Sequence, residues 1–149
     1  MKINHYTPVD ILTTLEKQEI IDFLFEHLDE FGDPKQDISN AIEYALTSAP
    51  MAGGFILTAV ENKNIKGAVV MNQTGMKGYI PENILVYIAV HKNERGKGLG
   101  KKLMNESMFY AKGDVALHVE SNNPAKFLYE KVGFENPYLE MRLKRSKTN

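Results

Sequence analysis

The chain has 149 residues, of which 43% are hydrophobic and 25% are charged, and its formal net charge is −1. This size and mixture predict one globular domain over 1–149, and the near-neutral charge argues against a nucleic-acid partner. The absence of cysteine excludes disulfides, thiolate metal sites and cysteine nucleophiles. No apolar run approaches the roughly 20 residues that span a bilayer, and the first residues lack an apolar signal segment. We therefore expect a soluble cytoplasmic protein without a membrane partner.

The first third of the chain predicts a short strand followed by helices. Residues 2–6 suit a strand. Thr7 matches a helix cap, with proline at the first helical position and Asp10 three residues after the cap. Apolar residues at helical spacing continue to residue 31, as one helix or as two with a break near residues 13–17. A further helix is expected over 33–49, between a glycine and a proline.

The middle of the chain predicts three strands. Residues 55–61 and 65–71 suit two strands of a hairpin with a short connection. Residues 73–81 contain two glycines and are expected to form a loop. The continuous apolar run over 84–90 is typical of a central, buried strand.

The segment after this strand, residues 94–103, reads ERGKGLGKKL. Its three glycines occupy every second position where strand gives way to helix, and cationic side chains flank them. Glycine allows a close backbone approach, and a helix start offers unpaired N–H groups at a positive dipole end. The segment therefore predicts a phosphate site. The P-loop and dinucleotide patterns do not fit, because the residue after Gly-Lys is lysine and the glycine spacing differs.

The last third predicts a helix to about residue 111, a strand over 115–120, a short helix after residues 122–124 and a last strand over 134–143. Gly133 suits a left-handed cap at the end of the short helix. The element order β-α-α-β-β-β-α-β-α-β predicts an α/β fold with a mixed sheet. The unit from residue 84 to 120 should be a right-handed parallel crossover.

Residues 95–100, with the pattern Arg-x-x-Gly-x-Gly, resemble the Arg/Gln-x-x-Gly-x-Gly/Ala signature of the GCN5-related N-acetyltransferase (GNAT) superfamily. Residues 122–134, with Asn-x-x-Ala-x-x-Leu-Tyr followed by Gly-Phe, are similar to the second block of that family. The matched region covers roughly residues 84–134. The resemblance implies the GNAT fold, a mixed sheet of about six strands flanked by about four helices. It also implies a bulge near residues 87–90 that splays strands four and five.

The resemblance further implies an acetyl-CoA-dependent N-acetyltransferase. Acetyl-CoA would be the cosubstrate, and a primary amine would attack it directly in a ternary complex. The acceptor is open between a small amine, an amino acid and a peptide or protein N-terminus. The alternative is a non-catalytic CoA-binding regulatory module, and an unrelated nucleotide-phosphate binder is a third reading. Members of the family are often dimers, so a homodimer is compatible with the sequence.

The resemblance also implies which residues contact the cofactor. Backbone groups of strand four, the glycine loop and one asparagine would hold acetyl-CoA, namely Ile88, Ala89, Val90, Arg95, Gly96, Lys97, Gly98, Leu99, Gly100, Lys101 and Asn122. A side chain at Gly98 or Gly100 is expected to intrude on the phosphates. Arg95 either contacts phosphate or braces the loop, whereas Asn123 is explained by capping the next helix.

Tyr129 matches the family tyrosine that protonates the leaving thiolate. The general base is open between Glu82, His118 and a chain of water molecules, and histidine titrates in the useful range. The acceptor pocket is expected between the first helices, the 73–81 loop and the last strand, where acidic residues over 29–33 could attract a cationic amine. The histidines show no paired metal-ligand spacing, so no metal is expected.

Overall fold

The computed structural model describes residues 1–145, and over that range the chain folds into one five-stranded sheet with helices on both faces. The strands are β1 (Lys2–Tyr6), β2 (Gly54–Glu61), β3 (Asn64–Gln73), β4 (Asn83–Val90) and β5 (Val115–Leu117). The helices are α1 (Thr14–Leu28), α2 (Lys35–Ala45), α3 (Leu99–Tyr110) and α4 (Lys126–Val132). Single 3-10 turns cover Asp29–Phe31 and Lys92–Glu94. The expected α/β fold with a mixed sheet is therefore confirmed.

The strands lie in sequence order, β1 to β5, with antiparallel pairing between the first four and parallel pairing between β4 and β5. Alternate side chains of the sheet enter two cores, because successive strand residues point to opposite faces. One core packs against α1 and α2, and the other packs against α3 and α4. Gly67 allows α3 to approach β3, since a Cβ there would lie 2.6 Å from Leu103 Cδ1.

Strand β4 contains a bulge and then separates from β5. Val70 pairs with Tyr87 while Met71 pairs with Leu85, so Val86 is the extra residue in the ladder. Strand β5 pairs with β4 only over 83–85. Residues 86–90 of β4 therefore have no strand partner on that side within the described chain. We call this free backbone edge, between the bulge and the end of β4, the β4–β5 opening.

The first helix begins later than the sequence predicts. The carboxylate of Asp10 accepts hydrogen bonds from the Thr7 N–H at 2.8 Å and from the Thr7 hydroxyl at 3.2 Å, which closes an isolated turn. Helix α1 instead starts at Thr14, after a capping box. The Thr13 hydroxyl accepts from the Glu16 N–H at 3.1 Å, and the Glu16 carboxylate accepts from the Thr13 N–H at 2.9 Å. The prediction of a helix from Pro8 was wrong because the capping signal at residue 7 serves a turn.

The last predicted strand is absent from the described chain, where residues 134–145 form no strand. Pro137 lacks the N–H that a ladder requires, and Leu139, Met141 and Leu143 are exposed. The described sheet thus has five strands rather than about six. Residues 146–149 of the expected domain lie outside the described residues. None of the helices within residues 1–145 is long and apolar enough to cross a membrane.

Candidate functional site

The glycine loop adopts a conformation that L-residues rarely occupy. Gly96 has φ of 77° and Gly98, the N-cap of α3, has φ of 89°. Apart from its chain neighbours, a Cβ built on either residue would meet no atom of the described residues within 4 Å. At these two positions the backbone of the loop is therefore exposed, without a covering side chain. Positive φ makes glycine the favoured residue at both positions.

The amides of this loop are available to a ligand. Among the described residues, the N–H groups from Gly96 to Lys101 have no acceptor, and internal bonding of α3 begins with the Lys102 N–H, which donates to the Gly98 carbonyl at 3.1 Å. Five of these six residues, all except Lys97, line a cleft of about 380 Å³ together with Val90 and Leu128. The side chain of Leu99 is buried in the core under α3, so only its backbone serves the loop. Unpaired amides at a helix start suit an anion.

Gly100 differs from the two glycines before it. It lies inside α3 with ordinary helical geometry, and a Cβ would stand 3.4 Å from Leu128 Cδ2 and 3.7 Å from Val90 Cγ2. These are ordinary van der Waals contacts with apolar side chains. The Cβ would point toward Val90 and Leu128, which also line the cleft of the glycine loop. A methyl group fits against these two side chains, and the expectation that a side chain at Gly100 would intrude on a phosphate stays a prediction for larger residues.

Positive charge surrounds the loop unevenly. The Lys97 ammonium lies 3.5 Å from the Glu94 carboxylate, whereas Lys101 and Lys102 are exposed and form no ion pair within the described chain. The Arg95 guanidinium donates to the His27 carbonyl at 2.8 Å. Of the two roles open to Arg95, the structure shows the brace.

The brace extends to a residue that sequence reasoning considered only as a metal ligand. His27 is 5% exposed, and its Nδ1 accepts from the Lys92 N–H at 3.3 Å. Together with Arg95, this bond ties the loop to the end of α1. The signal in the sequence was a histidine four residues after Phe23 on the apolar face of α1, but the sequence does not show what it contacts.

Strand β4 presents its backbone rather than its side chains to the opening. The side chains of Ile88 and Val90 pack against the core under α3, and that of Ala89 packs against the α1–α2 core. Val90 also lines the cleft of the glycine loop. The opening and the cleft are therefore continuous at the end of β4.

Tyr129 lies on α4 and faces the α3 core. The residue is 8% exposed, and its ring lies 6.1 Å from that of Phe134. Its hydroxyl has no hydrogen-bond partner in the described chain, yet it is not one of the fully buried polar atoms, so it contacts solvent. Burial raises the pKa of the Tyr129 phenol. The group is therefore protonated at neutral pH and free to donate.

The two asparagines before α4 have different environments. The Asn123 side chain accepts from the Ala125 N–H at 2.9 Å, and its carbonyl accepts from the Lys126 N–H at 3.2 Å. The Asn123 side chain thus closes the turn that leads into α4, whereas the N-cap of the helix itself is Ala125, which has no side-chain cap bond. Asn122 is exposed in the preceding turn, and its side chain has no hydrogen bond to a described residue.

The two candidate bases lie at different places. The Glu82 carboxylate packs over Gly113, where a Cβ would lie 2.6 Å from Oε2, and its Oε1 is buried without a hydrogen-bond partner among the described residues. At the rise of a strand, Glu82 is about 13 Å along β4 from Val86. His118 is exposed and follows β5 directly, where β4 and β5 part. The structure brings His118 rather than Glu82 to the β4–β5 opening.

The opposite face of β4 meets the acidic residues that follow α1. The Tyr87 hydroxyl donates to the Asp33 carboxylate at 2.7 Å, and burial together with Asp33 raises the pKa of Tyr87. Asp29 lies 3.9 Å from the Lys92 ammonium. Two of the three acidic side chains therefore already have partners in the fold. Residues 1–145 contain no group of three or more metal-ligating side chains.

Comparison with known protein families matched residues 52–136 to the acetyltransferase (GNAT) domain. A comparison with curated proteins gave no match. Solved structures with a similar fold include the aminoglycoside 6'-N-acetyltransferase AAC(6')-IG of Acinetobacter haemolyticus, with a TM-score of 0.66, 15% identity, and coverage of 100% of this chain and 99% of that one. The ribosomal-protein-alanine N-acetyltransferase of Brucella melitensis biovar Abortus 2308 has a TM-score of 0.60 and 18% identity, and the coverage is 97% and 100%.

A transcriptional regulator of Bacillus halodurans C-125 is also similar, with a TM-score of 0.66, 15% identity and coverage of 97% and 100%. At these identities, the structural likeness shows the fold alone. The family match goes further, because residues 52–136 are more than half of the chain and include the glycine loop, the β4–β5 opening and Tyr129. The family transfers acetyl groups with acetyl-CoA as cosubstrate. The chain belongs to the GNAT acetyltransferase family.

Proposed function

We propose that the protein is a single-domain, cytoplasmic N-acetyltransferase that transfers the acetyl group of acetyl-CoA to a primary amine. One observation carries the proposal. Within residues 1–145, the amides from Gly96 to Lys101 have no acceptor and adjoin a β4 edge without a strand partner. A site suited to phosphate and a site suited to an extended, peptide-like chain would thus lie end to end, as the two halves of CoA require.

The residues present fit acetyl-CoA. The loop amides would hold the pyrophosphate at the positive end of α3, with Lys101 adding charge and Lys97 shared with Glu94. The pantetheine arm contains two amides, which would pair with the backbone of Ile88 to Val90 as an added strand does. The side-chain amide of Asn122, which has no hydrogen bond to a described residue, would bind the same arm.

The thioester supplies an activated acetyl group, and residues of the chain would handle the protons. A neutral amine attacks the carbonyl carbon, so a C–N bond forms as the C–S bond breaks. A backbone N–H of the β4–β5 opening would stabilise the negative oxygen. Tyr129 would donate its proton to the departing thiolate and recover one from solvent, which its contact with solvent supports.

The proton lost by the amine needs an acceptor. We favour His118 over Glu82, because His118 follows the last residue of β5 that pairs with β4. Leu117 and Val119 pack toward α3, so alternation directs His118 to the opposite face of the sheet. A water chain leading from His118 would serve the same role if the amine binds farther away.

We propose a primary amine of a small molecule, an amino acid or a peptide N-terminus as the acceptor. Two proteins of similar structure, an aminoglycoside 6'-N-acetyltransferase and a ribosomal-protein-alanine N-acetyltransferase, support an amine acceptor of this range. A cationic amine would find acidic residues at the end of α1, where Glu30 is exposed. A homodimer would be seen in solution as twice the mass of the chain.

Thermal melting and an acceptor screen test the proposal together. Acetyl-CoA at 100 times its Kd should stabilise the protein by about 2.7 kcal/mol, and CoA release with at least one amine should follow. ATP at the same concentration is the control. A shift with ATP but none with acetyl-CoA would favour an unrelated phosphate binder.

A shift with acetyl-CoA but no CoA release across many amines would favour the non-catalytic CoA-binding module. One observation is compatible with that alternative: the Glu82 carboxylate lies away from the β4–β5 opening. The absence of any shift with millimolar acetyl-CoA would contradict both readings.

A further inference from the structure

We propose that His27, in the last turn of α1, is a positioning residue that clamps the glycine loop while its ring is neutral and releases it when the ring gains a proton. The inference rests on the proposed function, because the loop is taken to bind CoA. It adds a residue from the opposite end of the chain to that site and makes cofactor affinity depend on pH.

The clamp consists of two hydrogen bonds from one residue to one loop. His27 Nδ1 accepts from the Lys92 N–H at 3.3 Å, and the His27 carbonyl accepts from the Arg95 guanidinium at 2.8 Å. These contacts fix both ends of the turn over 92–95, immediately before Gly96. The carbonyl bond needs only the backbone, so the side chain contributes specifically the bond to Lys92.

The geometry fixes the protonation state of the ring. Because Nδ1 accepts a hydrogen bond, the neutral imidazole holds its proton on Nε2, which lies 3.1 Å from the Glu26 carboxylate. The ring is buried between Phe23, at 4.6 Å between ring centres, and His91, at 4.2 Å. Both nitrogens are thus used, one on each side of the ring.

A second proton would break the clamp. Protonated Nδ1 becomes a donor and would face the Lys92 N–H, which is also a donor. Among the groups that face the ring, His91, Lys92 and Arg95 from the loop oppose a positive charge on it, and Glu26 from α1 favours that charge. Asp29, after α1, lies 3.9 Å from the Lys92 ammonium.

The surroundings of His27 favour the neutral form of its ring. Burial first, and then the neighbouring cations, lower the pKa of His27, while Glu26 opposes them. The neutral, clamping form is therefore the form at neutral pH. Acid converts it to the form that cannot accept from Lys92, so the loop loses its support as pH falls below the ordinary histidine range.

Two substitutions of His27 distinguish the role of its hydrogen-bond acceptor from the roles of its ring and of its charge. His27→Phe keeps a buried ring beside Phe23 but offers no acceptor, and His27→Asn offers an amide oxygen but cannot titrate. Calorimetric titration with acetyl-CoA at pH 7.5 should show Kd raised about five-fold in His27→Phe, the loss of one hydrogen bond. His27→Asn should bind within two-fold of wild type. Glu26→Gln is the matched control, since its amide oxygen still accepts from Nε2, and it should also bind like wild type.

The pH series supplies the second readout. From pH 7.5 to pH 5.5 the wild type should lose affinity more steeply than His27→Asn, and His91 remains in both proteins as a shared background. Equal affinities of His27→Phe and wild type at pH 7.5, or the same pH dependence in His27→Asn and wild type, would overturn the clamp.

Hydrogen exchange of the ligand-free proteins keeps this test separate from the proposed function. The hydrogen-bonded amides of Lys92 and Glu94 should exchange faster in His27→Phe than in His27→Asn, with the sheet amides unchanged. Faster exchange without any binding of acetyl-CoA by wild type would uphold the clamp and contradict the function. If the wild type binds acetyl-CoA, and His27→Phe has the same exchange rates and affinity as wild type, the function is upheld and the clamp is contradicted.

Discussion

Gly98 and Gly100 stand two residues apart at the start of α3, and alanine should affect them in opposite ways. Gly98 has φ of 89°, where an L-residue costs roughly 1–2 kcal/mol. Part of this cost is offset, because alanine lowers the conformational entropy of the unfolded chain, which stabilises the folded state by about 0.4–1 kcal/mol. Gly98→Ala should therefore lower the free energy of unfolding by about 1 kcal/mol, or 2–4 °C in Tm for a chain of this size.

Gly100→Ala should have the opposite sign. The residue is helical, and its new methyl group would make ordinary contacts with Leu128 and Val90. Alanine is better than glycine in a helix by about 0.8–1 kcal/mol, so Tm should rise by about 2–4 °C. The two variants add the same methyl group, and only the backbone angle and its surroundings differ.

Binding distinguishes them further. The methyl group of Gly98→Ala would lie on the side of the loop that faces the ligand, and the backbone dihedral angles of the loop must also change. The Kd for acetyl-CoA should therefore rise ten-fold or more, the equivalent of about 1.4 kcal/mol. Gly100→Ala should bind within two-fold of wild type. Gly113 has the same φ of 89° at the α3–β5 turn, outside the cleft. Gly113→Ala should destabilise the fold without changing Kd.

Differential scanning calorimetry and calorimetric titration with acetyl-CoA give the required quantities. The reasoning is refuted if Gly98→Ala melts and binds like wild type, or if Gly100→Ala loses as much affinity as Gly98→Ala. An increase of Kd in Gly113→Ala equal to that of Gly98→Ala would show that binding merely follows stability.

Three further outcomes follow from the site. Tyr129→Phe should lower kcat at least ten-fold while Kd for acetyl-CoA changes less than two-fold, because only the proton donor is lost; an unchanged kcat would contradict the acid role. His118→Asn should lower kcat/KM at neutral pH more than Glu82→Gln does, which a pH–rate profile of both variants checks, and the reverse order would move the base to Glu82. Tyr87→Phe should reduce stability by about 1.5–3 kcal/mol through loss of the bond to Asp33. The raised pKa of Tyr87 means that folded protein keeps a proton that the unfolded chain loses above about pH 10, so wild-type stability should fall above that pH and that of Tyr87→Phe should fall less.

The parts of the site that local sequence determines were predicted. The apolar run predicts β4 to within one residue of its observed start at Asn83, and Gly133 ends α4 with φ of 118° as expected of a left-handed cap. The spacing of Gly96 and Gly98 predicts a loop with open amides. This could be read from the sequence because the access of glycine to positive φ does not depend on distant residues. The splay of β4 from β5 came from the family resemblance.

Features that depend on distant partners were not predicted. The start of α1 was misplaced because the signals at Thr7 and Thr13 look alike, and the Asp10 carboxylate that closes a turn decides between them. Apolar and polar residues alternate over 139–143, which favours a strand. A strand also needs a neighbouring strand with which to pair, and the local sequence does not show whether one is within reach. His27 contacts a loop 65 residues away, so its position on α1 could indicate burial but not the hydrogen bond to Lys92.

The central claim is that backbone amides from Gly96 to Lys101 bind a pyrophosphate. Nitrogen-15 NMR titration of the assigned protein with CoA, and separately with pantetheine, which lacks the pyrophosphate, measures this directly. We expect CoA to shift the amide signals of residues 96–101 and of β4, while pantetheine shifts only those of β4. Amide signals over 96–101 that stay in place while CoA binds elsewhere, or that move equally with pantetheine, would contradict the account.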